Sequence, residues 1–232
     1  MMRLKYHHPG TPPATLVAHV AKEPKPSVIR LIQYDSQTLF EGHFDTFEDL
    51  MQRFDPSLMN WINIDGLHDI DLLRKLGDRF NIHPLALEDV LNTTQRPKVE
   101  QFGDQFFIIS EMIYEGENNR ITLEQLSIFL GKMYVLTIQE ESERDVFEKV
   151  RARLRSGRGF ARKMGSDYLA YALLDATVDQ FYPILESLGE SIESIEDELL
   201  QKPSRESLRK LYEAKRLLLQ LRRTAWPQRE IF

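Results

Sequence analysis

Ile184, Leu188, Ile192, Ile195 and Leu199 follow one another at spacings of 4, 4, 3 and 4, the period of one apolar stripe along an α-helix. Glu186, Glu190, Glu193 and Asp197 repeat at 4, 3 and 4 along a second stripe. Together they predict one helix from about Asp167 to Leu200. A break at "QKPS" follows, then a second helix opened by Ser204 as N-cap. Both exceed the mean helix of about 11–12 residues. The first is acidic, whereas the second carries Arg205, Arg209, Lys210, Lys215, Arg216, Arg222, Arg223 and Arg229. The spacing therefore predicts two long antiparallel helices, projecting like a stalk from a compact body; their opposite charge favours pairing, but solvated outer faces of an amphipathic hairpin are the plainer reading of any one of these residues.

That body lies upstream. "SVIRLIQYDSQTLFEGHF" (27–44) reads as two strands around a polar "YDSQ" turn, and Thr46 to Phe54 as a short helix. "WINIDG" is a buried strand ending in a glycine turn, followed by a helix with Asp69 near its start. "QFFIISEMIYE", "ITLEQLSIFLG" and "MYVLTIQE", separated by "GENN" and "GK", predict an antiparallel meander. The fold class is α/β. The expected divisions are a mobile lead-in over 1–26, an α/β core over 27–140, a helix and "SGRGFARKMGS" connector over 141–165, and the helical hairpin over 166–232.

A net charge of −6 argues against nucleic acid as a partner. Without cysteine the chain forms neither disulfides nor thiolate metal sites, so any metal must be held by oxygen or histidine. No run approaches the roughly 18 apolar residues of a membrane span, and the N-terminus lacks a secretory core, so the chain as given reads as soluble and cytosolic. Phosphate-loop, zinc-protease and nucleophile-elbow motifs are absent, and the six histidines are scattered, two of them (His7, His8) in the lead-in; the chain does not read as an enzyme. The ending "LRRTAWPQREIF" keeps an apolar pattern into Pro227, which suggests that a longer protein has been cut.

"HPLALEDVLN" is a short helix with Pro84 in its first turn and Leu85, Leu87, Val90 and Leu91 as its apolar face. Glu88 and Asp89 sit side by side in it. Adjacent helix residues point about 100° apart, so the two acids suit two neighbouring sites better than one shared ion. A hard cation such as Mg2+ takes oxygen ligands and is commonly held by one or two carboxylates with water completing its shell. From spacing alone, solvated helix positions account for both acids more simply. Asp175, in "YALLDATVDQF", lies among apolar positions where an unpaired charge is costly. A salt bridge or an exposed helix edge is the plainer explanation there.

Three stretches, "HPLALEDVLNTTQRPKVEQFGDQFFIISEMI", "DYLAYALLDATVDQFYPILESLGESIESIEDEL" and "LRRTAWPQREIF", give the chain its resemblance to the CorA divalent-cation channels. The resemblance implies an α/β/α sandwich with a mixed sheet, followed by long antiparallel helices and the start of a stalk helix. It implies a homopentamer at the cytoplasmic face of the inner membrane, anchored by segments downstream of Phe232. The usual cargo is Mg2+, with Co2+ and Ni2+ also carried and a zinc-transporting branch sharing the architecture. The resemblance further implies that regulatory Mg2+ between neighbouring subunits, with Co2+ or Ca2+ as substitutes in vitro, holds the pore closed. The family's "LED" acids fall on Glu88 and Asp89 and its helix aspartate on Asp175; the aspartate that partners Asp89 lies beyond this chain. The alternatives are a zinc-transporting relative or a stand-alone scaffold using its acidic hairpin.

Overall fold

Alternating burial along the β-rich runs decides how the sheet is clad. The computed structural model describes residues 12–16, 27–115, 121–140 and 146–231. In chain order the elements are β1 (Val28–Tyr34), β2 (Leu39–Phe44), α1 (Phe47–Arg53), β3 (Met59–Asp65), α2 (Ile70–Phe80), α3 (Pro84–Leu91) and β4 (Lys98–Phe102). Then follow β5 (Gln105–Glu115), β6 (Ile121–Leu130), β7 (Tyr134–Gln139), α4 (Glu148–Ser156), α5 (Ser166–Asp179), α6 (Phe181–Gln201) and α7 (Arg205–Gln228).

One seven-stranded sheet runs in the order β2-β1-β3-β7-β6-β5-β4. Every neighbouring pair is antiparallel except β3 with β7, whose register sets Asn60 opposite Tyr134. The "YDSQ" hairpin forms as expected, with the Asp35 carboxylate accepting from the Gln37 and Thr38 amides. The meander β5-β6-β7 is also as expected. Its "GENN" connection falls in 116–120, outside the described residues, as do residues 1–11, 17–26 and 141–145.

Period-two alternation gives the sheet two apolar faces. Ile29, Leu31, Ile62, Ile64, Phe107, Ile109, Leu136 and Ile138 pack against α1, α2 and α3. Ile32, Tyr34, Trp61, Ile108, Leu126, Ile128 and Val135 pack against α4 and α5. The molecule is therefore an α/β/α sandwich with a mixed sheet. A polar chain stitches the parallel pair from within: Trp61 Nε1 donates to Thr137 Oγ1 at 3.0 Å, Thr137 Oγ1 to Asn63 Oδ1 at 2.6 Å, and Asn63 Nδ2 to Asp65 Oδ1 at 2.7 Å.

A third cluster joins Ile113 of β5 to Phe181, Ile184, Leu188 and Ile195 of α6 and to Ala214 and Leu221 of α7. The apolar stripe thus does what its spacing predicts, and at 1.5 Å per residue the 21 residues of α6 and 24 of α7 span about 31 and 36 Å.

Three expectations need correction. The helix predicted from Asp167 to Leu200 breaks at Gln180, because Pro183 has no N–H to return to the preceding turn and instead occupies the first turn of α6. Leu85 is 43% exposed, and Ala86 takes its place on the buried face of α3. Charge does little to join the hairpin, in keeping with the plainer reading of solvated outer faces: Lys210 to Glu198, at 2.6 Å, is the one α6–α7 ion pair among the described residues, while Arg209 pairs with Glu206 and Glu213 of its own helix. Nor does α7 project freely. Its Gln228 Nε2 donates to the Glu111 carbonyl at 2.7 Å and its Oε1 accepts from Ser110 Oγ at 2.9 Å, docking the end of the helix on β5.

Candidate functional site

The local sequence fixes how α3 presents its acids. His83 caps the helix, its Nδ1 accepting from the Leu85 amide at 3.2 Å, and Pro84 supplies the preset backbone of the first turn. Ala86, Leu87, Val90 and Leu91 are buried against the sheet and α2. Leu87 lies so close to α2 that a Cβ on Gly77 would stand 2.5 Å from its Cδ1. With that face fixed, Glu88 and Asp89 lie half-buried on the opposite, outer side.

Both carboxylates are engaged within the chain. Asp89 Oδ2 accepts from Lys98 Nζ at 2.6 Å and Oδ1 from Gln95 Nε2 at 2.6 Å. Lys98 also reaches Glu100, at 2.9 Å. Burial works against the Lys98 charge, but the bonds from Asp89 and Glu100 outweigh it and hold the ammonium above the ordinary lysine range. Glu88 Oε2 accepts from the Ala14 amide at 2.6 Å, so at least one turn of the expected mobile lead-in is tied to α3.

Asp175 is half-buried on α5, on the rim of a concavity of about 280 Å3 that Lys149, Arg153 and Asp179 also line. It makes no ion pair within the described residues. The exposed-edge explanation, not the salt bridge, describes it.

The structure brings Glu88 and Asp89 to one face but does not bring Asp175 to them. The first two belong to the α1–α3 layer and the third to the α4–α5 layer, with the sheet between. Among the described residues no three His, Asp or Glu side chains gather into a metal-holding cluster. The carboxylate oxygens suit a hard cation, but each group is a lone or bidentate donor needing further oxygens from water or a second chain. Lys98 and Gln95, the partners of Asp89, are not singled out by the sequence; the only signal for them is "TQRPK", which places a lysine nine residues on from Asp89.

A mixed sheet clad on both faces by helices and extended by a helical hairpin is an architecture shared with solved soluble domains of CorA and ZntB. The soluble domain of CorA from Methanocaldococcus jannaschii superposes with a TM-score of 0.59 at 25% identity, over 84% of this chain and 71% of that one. The cytoplasmic domain of ZntB from Vibrio parahaemolyticus gives 0.66 at 15% identity over 88% and 77%, a likeness of fold alone. In sequence, the chain is 40% identical over 223 residues to the cobalt/magnesium transport protein CorA of Thermotoga maritima, covering 96% of this chain and 63% of that protein.

The chain belongs to the CorA family: residues 57–232 match the family described as CorA-like Mg2+ transporter protein. It spans under two thirds of the length of its Thermotoga relative. Among the described residues no helix is long and apolar enough to cross a membrane.

Proposed function

We propose that this chain is the cytosolic regulatory domain of a CorA-type Mg2+ transporter, in which divalent cations held between neighbouring subunits bias a membrane pore toward its closed state. Glu88, Asp89 and Asp175 are the ligands the chain contributes. What carries the reading is the separation of these acids by the sheet. Carboxylates on opposite layers of one chain meet only when one copy's α3 layer faces another copy's α5 layer. Such a contact joins unlike surfaces, and unlike-surface contacts close into rings when the rotation permits. A homopentamer is the ring this reading adopts. The cation neutralises facing carboxylates, so ring stability and cation concentration are linked.

Mg2+ is favoured over zinc as the regulatory ion because the donors are carboxylate oxygens, with no cysteine in the chain and no clustered histidine among the described residues to offer softer ligands. Lys98 adds a condition. Its ammonium already neutralises Asp89, so a cation at Asp89 must compete with it.

The test is limited proteolysis of the full-length protein across a Mg2+ titration. Wild type should gain protection as Mg2+ rises, and Asp89→Ala and Asp175→Ala should each lose it. Wild-type protection in both variants would remove the sensor assignment.

A further inference from the structure

A second concavity lies between the α3–β4 loop and the last turns of α7. Its volume is about 720 Å3, inside the range of about 300–1,000 Å3 typical of small-ligand sites. Arg222, Arg223 and Trp226 line it from one face of α7, at helical spacing, and Arg96 lines it from the loop opposite. All four side chains are exposed. None of the three guanidinium groups is ion-paired among the described residues, although elsewhere on α7 Arg209 holds two carboxylates. Trp226 is 58% exposed, with the Arg229 guanidinium 4.7 Å from its ring centre.

We propose that this cleft binds a nucleoside triphosphate, the polyphosphate held by Arg96, Arg222 and Arg223 and the base stacked on Trp226. Guanidinium groups present paired donors that match phosphate oxygens, and an exposed indole is a general platform for a nucleobase. Three unpaired cations around one hollow repel each other until an anion enters. Glu111 is the acid in the wall; burial raises its carboxyl to about 7, which reduces its repulsion of an incoming phosphate near neutrality. The cleft also adjoins the acid-bearing helix, because Gln95 both lines the cleft and donates to Asp89. A nucleotide bound here therefore sits one side chain from Asp89.

The test uses the two tryptophans. Trp61 is 1% exposed and gives a constant background, so quenching reports on Trp226. The 232-residue chain is titrated with ATP, tripolyphosphate and adenosine, in EDTA so that the outcome is independent of any Mg2+ site. ATP should quench saturably, and Trp226→Phe should abolish the signal. By calorimetry, Arg222→Ala and Arg223→Ala should each weaken ATP binding about tenfold or more, the loss of one charge-assisted contact. Trp226→Ala should weaken ATP while leaving tripolyphosphate unchanged. These arginines and the indole are exposed, so the variants should keep the wild-type circular dichroism. Adenosine binding as tightly as ATP, or ATP binding indifferent to the arginines, would overturn the proposal. So would absence of ATP binding, including the case where an acidic peptide of residues 186–198 binds instead.

Discussion

Glu111 is a half-buried acid whose carboxyl is shifted upward by its surroundings. It faces the seam where α7 meets β5; burial raises its carboxyl to about 7, against a smaller lowering by its bond from the Thr224 hydroxyl. An acid whose folded pKa lies above its unfolded one binds more protons when folded. Between the unfolded value near 4.5 and the folded value near 7, stability therefore falls as pH rises. Glu111→Gln should remove that slope and raise stability at pH 8 by about 1–2 kcal/mol, read from urea unfolding at a series of pH values. Lys98 makes a second prediction at this scale. Lys98→Met frees Asp89, and the Mg2+ midpoint for protease protection should fall by about two- to fivefold, the worth of a partly exposed ion pair. A midpoint raised by the substitution would mean that Lys98 helps to shape the site. Neither effect is written in the local sequence. Glu111 follows an apolar run like any surface acid, and only the docking of α7, more than a hundred residues later, buries it.

At the scale of elements, the contact between α2 and α3 governs where the paired acids sit. Gly77 leaves room for Leu87, and a Cβ there would stand 2.5 Å from Leu87 Cδ1. Alanine adds helix propensity worth up to about 1 kcal/mol, but overpacking a buried leucine costs about 1–3. Gly77→Ala should be destabilising by about 1–2 kcal/mol, and with Leu87→Ala the two losses should sum to less than their separate values in a double-mutant cycle. Helices and strands with strong periodicity were legible: the α6 stripe, the hairpin around Asp35, the helix start near Asp69, the opening of α7 at Ser204, and the three-strand meander all form as their patterns predict. Weaker signals were not. β4 is an edge strand with alternating half-exposure, too polar to announce itself, and the Gln180 break hides in a helical pattern whose only punctuation is Pro183.

For the whole molecule, the resemblance predicted the sandwich, and the layers explain why the candidate site could not be read as one cluster. Spacing shows that Glu88 and Asp89 are neighbours; it does not show that Asp175 lies across a sheet from them. If facing layers of neighbouring copies share the cation, light scattering of this chain should show association that grows with Mg2+ and disappears with Asp175→Ala. A tight pentamer formed without Mg2+ would contradict that linkage.

The one parallel pair in the sheet also sets a timetable. β7 lies at the centre, yet it is made about seventy residues after its partner β3, with two helices and three strands in between. Until Trp61 meets Thr137, the Asn63–Asp65 arm of their polar chain has no far end. A nascent chain emerging from a ribosome must therefore hold its N-terminal half half-built, exposing the unpaired edge of β3, until β7 arrives. Separations of this kind slow folding and leave strand edges open to wrong partners. The kinetic bottleneck of this domain should accordingly be the closing of its central strands, with the outer hairpins already in place.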